Sequence, residues 1–364
     1  MKILLAAGVF FPDVGGPAIH VRKIAERLVE AGFRVRVVAY GDDEAHTEFS
    51  FKVSRVSRKF PKVIQWFLYF SLCLWHAPTS RIIYAFDPTA AGLPARLVAL
   101  IFHRPFIIRV GGDPIWEREA EMGRRLMPLE KYYEQGLHKQ DKPELYRIIR
   151  WVLKGARKVI VYNQNFKNFY MKYFGVLENR IVVIKNPVFK RESASPGLPV
   201  PSVVLFAGRF VAYKNLAMVV RAFHNIGKGK LLLIGSGPEE DKLHGEGIVI
   251  IHSLPQEKLF EHIREAAVCI GPALSEFNPN FILEALSFGK PVLISRGHGL
   301  SVELPEEMLF NPLSQEDFET KLKNLLEEEN YQKAIAKVAS LPLNHSWEAV
   351  TGAHLALIND IIRK

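Results

Sequence analysis

Residues 1–40, MKILLAAGVFFPDVGGPAIHVRKIAERLVEAGFRVRVVAY, decide the fold class. An apolar run from Lys2 to Ala7 leads into a Gly-Gly turn, after which Val21, Ile24, Ala25 and Leu28 recur at the i, i+3, i+4, i+7 spacing of one helical face. Gly32 stands where a helix C-terminus favours a residue free to take positive φ, and residues 34–40 read as a second strand. Strand, helix and strand in this order form a parallel βαβ unit. The opening run has one lysine before it and no small-residue cleavage site after it, so it reads as a strand rather than a leader.

The alternation continues outward from this unit. Strand-like runs at 81–85, 106–110, 158–162 and 181–185 predict further parallel strands separated by helices. Residues 186–202, NPVFKRESASPGLPVPS, interrupt the pattern with four prolines, serines and a glycine, and predict an interdomain linker. Beyond it come strands at 203–207, 230–235, 248–251, 268–271 and 291–295, with helices from Leu216, near Lys258 and from Pro279. Residues 316–329 and 347–362 read as helices with little strand between them. The expected organisation is an α/β chain with a first Rossmann-like domain at 1–186, a linker at 187–202, a second Rossmann-like domain at 203–345 and a final helix at 346–364.

Composition narrows the class. A chain of 364 residues, 48% hydrophobic and 24% charged, is long enough for two buried cores and has the balance of a folded globular protein. Its two cysteines, Cys73 and Cys269, lie in apolar runs with no metal-ligand spacing, which points to a reducing, cytoplasmic compartment. Residues 1–200 hold 32 Lys and Arg against 18 Asp and Glu, a net +14, whereas residues 201–364 hold 16 against 20, a net −4. Such a field attracts nucleic acid, a phosphorylated substrate or an anionic membrane, and charge alone does not choose among them.

The chemistry concentrates in the second half. In SEFNPNFILEALSFGKP, residues 275–291, Asn278 is expected as the N-cap and Pro279 as the first helical residue. The amides of Asn280, Phe281 and Ile282 would then be free to bind an anion. Glu276 precedes this helix start and Glu284 lies eight residues later in its second turn, so the first can reach a group beyond the helix end and the second can accept bonds from hydroxyls alongside it. In AGRFVAYKN, residues 207–215, Arg209 and Lys214 follow Gly208 in a turn outside the carboxyl end of a strand, where open α/β sheets bind ligands; two cations there suit a diphosphate. Gly235 and Gly237 of GSGP mark another tight strand-to-helix turn, and Gly15 and Gly16 of FPDVGGP a third. Read singly, each of these residues is compatible with an exposed charge or an ordinary turn.

As a set they resemble the retaining glycosyltransferases of family 4, which have the two-domain GT-B architecture. The resemblance covers nearly the whole chain and rests on Gly15-Gly16 followed by His20 and Val21, Gly208-Arg209 with Lys214, residues 235–238, Glu276 and Glu284 with Gly289-Lys290-Pro291, and Ser346-Trp347-Glu348. It implies two doubly wound domains facing a cleft, the first binding the acceptor and the second the nucleotide sugar, with the final helix at 346–364 returning to the first, and a nucleotide-diphosphate sugar as donor substrate, with no cofactor and no metal. It further implies that Arg209 and Lys214 neutralise the diphosphate, that the amides of Asn280 and Phe281 complete that site, that Glu284 holds the ribose and that Glu276 contacts the transferred sugar. Fixed cations and a helix start would stabilise the charge of the departing diphosphate. The implied acceptor is a sugar or a lipid-linked sugar, with Gly15, Gly16 and His20 on the acceptor or phosphate side. The sequence departs from the family pattern where the strand at 106–110 runs into Gly111-Gly112-Asp113 in place of a histidine loop, which makes Asp113 a candidate site residue.

Three questions stay open at this level. KVIQWFLYFSLCLWH, residues 62–76, is shorter than the ~20 residues of a membrane span and reads either as a helix buried against the first sheet or as an interfacial helix approached by Lys52, Arg55, Arg58 and Lys59. The second reading would place the protein peripherally at the inner face of a membrane. A sugar-nucleotide epimerase or a phosphorylase shares the same architecture. A basic nucleic-acid-binding protein is supported only by charge, since no recognised motif accompanies it, and no nucleic acid is expected. A dehydrogenase is disfavoured because no G-x-G-x-x-G follows the first strand.

Overall fold

The computed structural model describes residues 1–13, 16–42, 48–191 and 202–363; Gly15 and most of the expected linker at 187–202 lie outside the described residues. The chain divides into two compact units.

The first unit comprises Met1–Gly112, Lys139–Pro187 and Ser346–Lys364. Its strands are β1 (Lys2–Ala7), β2 (Arg34–Tyr40), β3 (Lys52–Val56), β4 (Ile82–Ala85), β5 (Phe106–Arg109), β6 (Lys158–Val161) and β7 (Ile181–Val183). They form a parallel sheet in the order β3-β2-β1-β4-β5-β6-β7, with Ile3 in register with Val35 on one side and Ile82 on the other. Ile3 to Ala7 are all fully buried, as expected for a parallel strand covered on both faces. Helix Gly16–Glu30 packs Val21, Ile24 and Leu28 into one core with Val350, Ile358 and Ile361 of helix Trp347–Arg363. It ends as predicted at Gly32, whose φ is +83°: the Phe33 amide reaches the Leu28 carbonyl and the Gly32 amide the Val29 carbonyl, at 2.9 Å each.

The second unit comprises Asp113–His138 and Val188–His345. A two-stranded antiparallel ribbon pairs β8 (Val188–Phe189) with a late strand, Asn344–His345. Between them β9 (Val203–Ala207), β10 (Lys230–Ile234), β11 (Ile248–Ile251), β12 (Val268–Gly271), β13 (Val292–Ser295) and β14 (Leu309–Phe310) form a second parallel sheet in the order β11-β10-β9-β12-β13-β14.

Several expectations are corrected. Residues 113–138, expected in the first domain at 1–186, pack with the second unit. The reason is Trp116, fully buried with its ring 5.2 Å from that of Tyr213, and Leu129, whose amide donates to Ser275 Oγ at 2.9 Å. The helix expected at 316–329 is two helices, Gln315–Leu325 and Glu328–Ser340. Strand β3 was not anticipated.

Candidate active site

The candidate site in the second unit is built at the carboxyl ends of its parallel strands, where loops carry polar groups on a rigid scaffold. After β9 the chain turns through Gly208, Arg209 and Phe210, then a short 3-10 turn, Ala212–Lys214, before helix Leu216–Ile226. Phe210 and Tyr213 are buried and anchor the turn, which leaves Arg209 and Lys214 to present charge. Neither cation stands alone. Arg209 pairs with Glu121 Oε1 at 2.6 Å while staying largely exposed, and Lys214 forms an ion pair with Glu276 in which both side chains are mostly buried, 15% and 12% exposed.

Tyr213 stands between the cations. Lys214 Nζ is 5.2 Å from its ring centroid, and its hydroxyl is in a long 3.5 Å contact with Arg209 Nη2. Burial, with the charges of Glu276 and Glu117, holds the Tyr213 phenol well above its ordinary pKa. The Glu276 amide donates to the Gly297 carbonyl at 2.9 Å, which fixes the loop that carries the carboxylate.

The helix following Glu276 starts later than expected. It spans Asn280–Ser287, with Pro279 at the N-cap and no side-chain cap. Asn278, expected as the cap, instead takes the left-handed conformation at φ +63°, and its amide side chain is buried without a hydrogen-bond partner among the described residues. The first bond into the helix runs from the Leu283 amide to the Pro279 carbonyl, so the amides of Asn280, Phe281 and Ile282 precede it without a side-chain cap. Glu284, inside this helix, accepts from Gln256 Nε2 at 3.0 Å, and burial raises its pKa.

The glycines act as spacers. A Cβ at Gly235 would lie 1.9 Å from the Gly208 carbonyl oxygen, and one at Gly237 would lie 2.3 Å from that of Phe210. The two turns therefore meet backbone to backbone, joined by the Phe210 amide to the Ser236 carbonyl at 2.8 Å.

Asp113, expected among the catalytic groups, is instead the buried N-cap of helix Pro114–Glu121. Its Oδ1 accepts from the amides of Ile115 and Trp116, and its Oδ2 accepts from the Tyr133 hydroxyl at 2.5 Å. Burial pushes its pKa up to about 6. On the same helix Glu117 is pushed up to about 8 by burial and by Asp113 beside it. His20, expected on an acceptor or phosphate loop, lies on the buried face of helix Gly16–Glu30, its ring 4.8 Å from that of Trp347, while Gly16 opens that helix. Sequence reasoning missed Glu121, Tyr213 and Trp116. The signal was faint: Glu117 and Glu121 share a helical face by their i, i+4 spacing, but Arg209, the partner of Glu121, lies far along the chain.

Comparison with known proteins bears on both halves of the chain. A model described as Glycosyltransferase Family 4 matches residues 14–189, and one described as Glycosyl transferases group 1 matches residues 201–328, so that between them they span most of the chain. The chain is 29% identical over 181 residues to the sulfoquinovosyl transferase of Arabidopsis thaliana, an alignment that takes in 46% of this chain and only 36% of that protein. It is 23% identical over 348 residues to an uncharacterized glycosyltransferase of Methanocaldococcus jannaschii, covering 85% of this chain and 84% of the relative. Among solved structures, sucrose-phosphate synthase of Thermosynechococcus elongatus superposes with a TM-score of 0.75 at 18% identity, over 100% of this chain and 99% of that one. Anabaena HepE in complex with UDP and glucose also gives 0.75, at 16% identity, over 99% and 100%. At such identities the structural likeness speaks for the fold alone. With two doubly wound parallel units and family models matching the parts that form them, the chain belongs to glycosyltransferase family 4 and has the GT-B fold.

Proposed function

We propose that the protein transfers a sugar from a nucleotide-diphosphate sugar to a sugar or lipid-linked acceptor, with retention of configuration and without a metal. The observation that carries this reading is Lys214 paired with Glu276 at the approach to the uncapped start of helix Asn280–Ser287, with Arg209 on the same turn. An entering diphosphate exchanges the carboxylate partners of Lys214 and Arg209 for its own oxygens, and the released Glu276 is free to face the sugar. Glu284, held by Gln256, takes the ribose, and the amides of Asn280 and Phe281 complete the diphosphate site. The complex of HepE with UDP and glucose supports a nucleotide sugar as donor. An epimerase or phosphorylase of the same architecture is separated by incubating donor without acceptor and looking for an isomerised or phosphorolysed sugar.

A thermal-shift screen of UDP, GDP, ADP and their sugars tests the proposal, since a ligand at about 100 times its Kd adds ~2.7 kcal/mol of stability. With the nucleotide identified, calorimetry of two variants divides the roles. Glu284→Ala is expected to weaken nucleoside diphosphate binding by about 10- to 100-fold, the value of one or two charge-assisted hydrogen bonds. Glu276→Ala is expected to leave that affinity unchanged or improved, because it frees Lys214, while lowering transfer. Equal affinity losses in the two variants would contradict the division.

The acceptor side is proposed to meet an anionic membrane from the cytoplasm. No helix among the described residues is long and apolar enough to cross a membrane. Helix Lys62–His76, however, is neither apolar all round nor buried all round. It turns Gln65, Tyr69, Cys73 and His76 inward, where Gln65 donates to the Phe60 carbonyl and Tyr69 to that of Val38, and it leaves Phe67 59% and Trp75 80% exposed along with Val63 and Ile64. Arg58 is paired with Asp13 and Arg55 lies over the Phe10 ring, whereas Lys52, Lys59 and Lys62 are exposed. Co-sedimentation with anionic liposomes at low salt is expected, weakened by high salt and lost in a Phe67→Ser/Trp75→Ser variant. No binding at low salt would return the acceptor to a soluble sugar.

A further inference from the structure

Arg109 ends β5 in the first unit, two residues after Ile107 and therefore on the same face of the sheet. Ile107 lies in the core formed with helices Gly16–Glu30 and Trp347–Arg363, where an apolar residue is expected; position 109 holds a guanidinium instead, only 8% exposed. A charge taken out of water is stable only when paired. Among the described residues Arg109 has no carboxylate partner; its one hydrogen bond runs from Nη2 to Asn186 Oδ1 at 2.5 Å. The groups around it supply no compensating charge. His20 and His354 are kept neutral by burial and by Arg109 itself, and His20 Nδ1 and His354 Nε2 are buried without a hydrogen-bond partner among the described residues. The loop that follows β5 passes beside the guanidinium. A Cβ at Gly111 would stand 3.7 Å from Arg109 Nη1, Gly111 is exposed, and the loop is tied down by the Tyr170 hydroxyl donating to the Gly112 carbonyl at 3.1 Å. Two successive residues without side chains thus leave the guanidinium approachable from solvent at the carboxyl ends of the strands, where open sheets bind ligands.

We infer that Arg109, held by Asn186 and reached over Gly111, is a binding subsite for an oxyanion (carboxylate, sulfonate or phosphate) carried by a substrate. The anion supplies the charge that the core does not, and forms one or two charge-assisted bonds to Nη1 and Nε. That the anion sits on a donor sugar or on an acceptor rests on the proposed transfer reaction; the existence of the subsite does not.

The test therefore begins without transfer. In a variant with Arg209→Ala and Lys214→Ala, which removes the cations of the second unit, inorganic sulfate is expected to raise Tm above the effect of chloride at equal ionic strength. That rise is expected to vanish on adding Arg109→Gln. Should Arg109→Gln not fold, Gly111→Asp serves, because it places a carboxylate beside Nη1 at an exposed position with ordinary backbone geometry. Sulfate stabilisation absent from the parent, or retained in full by both variants, would overturn the inference whatever the protein transfers. Two ligand pairs then locate the source in the otherwise unaltered chain: UDP-glucuronate against UDP-glucose, and glucose 6-phosphate against glucose. In one pair the charged member is expected to bind at least tenfold more tightly, and Gly111→Asp to abolish that preference while sparing the neutral member. No preference in either pair would overturn the assignment to a substrate.

Discussion

Lys214→Ala is expected to lower transfer a hundredfold or more, corresponding to the ~3–4 kcal/mol lost when one preorganised charge is removed from a departing oxyanion. Arg209→Ala is expected to have the smaller effect of the two. Arg209 is largely exposed and its field is screened by water and salt, whereas Lys214 is mostly buried against Glu276 and Tyr213 and acts through a lower dielectric. Removing the lysine also strands Glu276, so a loss of activity could arise from a distorted loop. Lys214→Ala combined with Glu276→Gln removes the stranded charge, and its Tm should return towards that of the unaltered protein while transfer stays low. Turnover within about threefold of the unaltered protein in a folded Lys214→Ala would remove the diphosphate site from this turn.

The largest expected effect on stability comes from a single methyl group. Gly235→Ala places a Cβ 1.9 Å from the Gly208 carbonyl oxygen at a residue whose φ is +145°, so both the backbone conformation and the contact are unfavourable. Strain of ~1–3 kcal/mol from the dihedral and a similar amount from overpacking give a loss of about 2–6 kcal/mol. In a unit of this size that lowers Tm by roughly 10 °C. Thermal unfolding followed by circular dichroism measures it, and a shift below about 2 °C would mean that the two turns can separate freely. Nucleotide affinity should fall with stability, since the same displacement moves Arg209.

Where the sequence carries a local signal, the fold follows it. Strands β1, β2, β9, β11 and β12 have the expected bounds because each is a short apolar run closed by turn residues. Strand β3, KVSRV, was missed because it lies at the sheet edge, half exposed, and its single fully buried residue is Val56. Arg209, Lys214, Glu276 and Glu284 were all singled out, but the pairing of Arg209 with Glu121 was not, since it joins two loops through the fold. The placement of residues 113–138 was equally illegible: the bond from Leu129 to Ser275 spans 146 positions. Helix Lys62–His76 misled differently. Hydropathy counts apolar residues without saying which way they face, and here the inward residues include polar ones satisfied by carbonyl groups and by Ser54. Arg109 carries a readable sign, a charge in phase with Ile107.

The chain passes between the two units four times, and this has a bearing on biosynthesis. Residues 346–363, which supply Val350, Ile358 and Ile361 to the first core, are translated only after residues 188–345 of the second unit have been made. At about 5–20 residues per second that interval is roughly 10–30 s, during which Val21, Ile24 and Leu28 lack their final partners. The unit whose synthesis starts first is thus the one that closes last, and a nascent chain stalled within the second unit would present that uncovered helix face to the cell's chaperones.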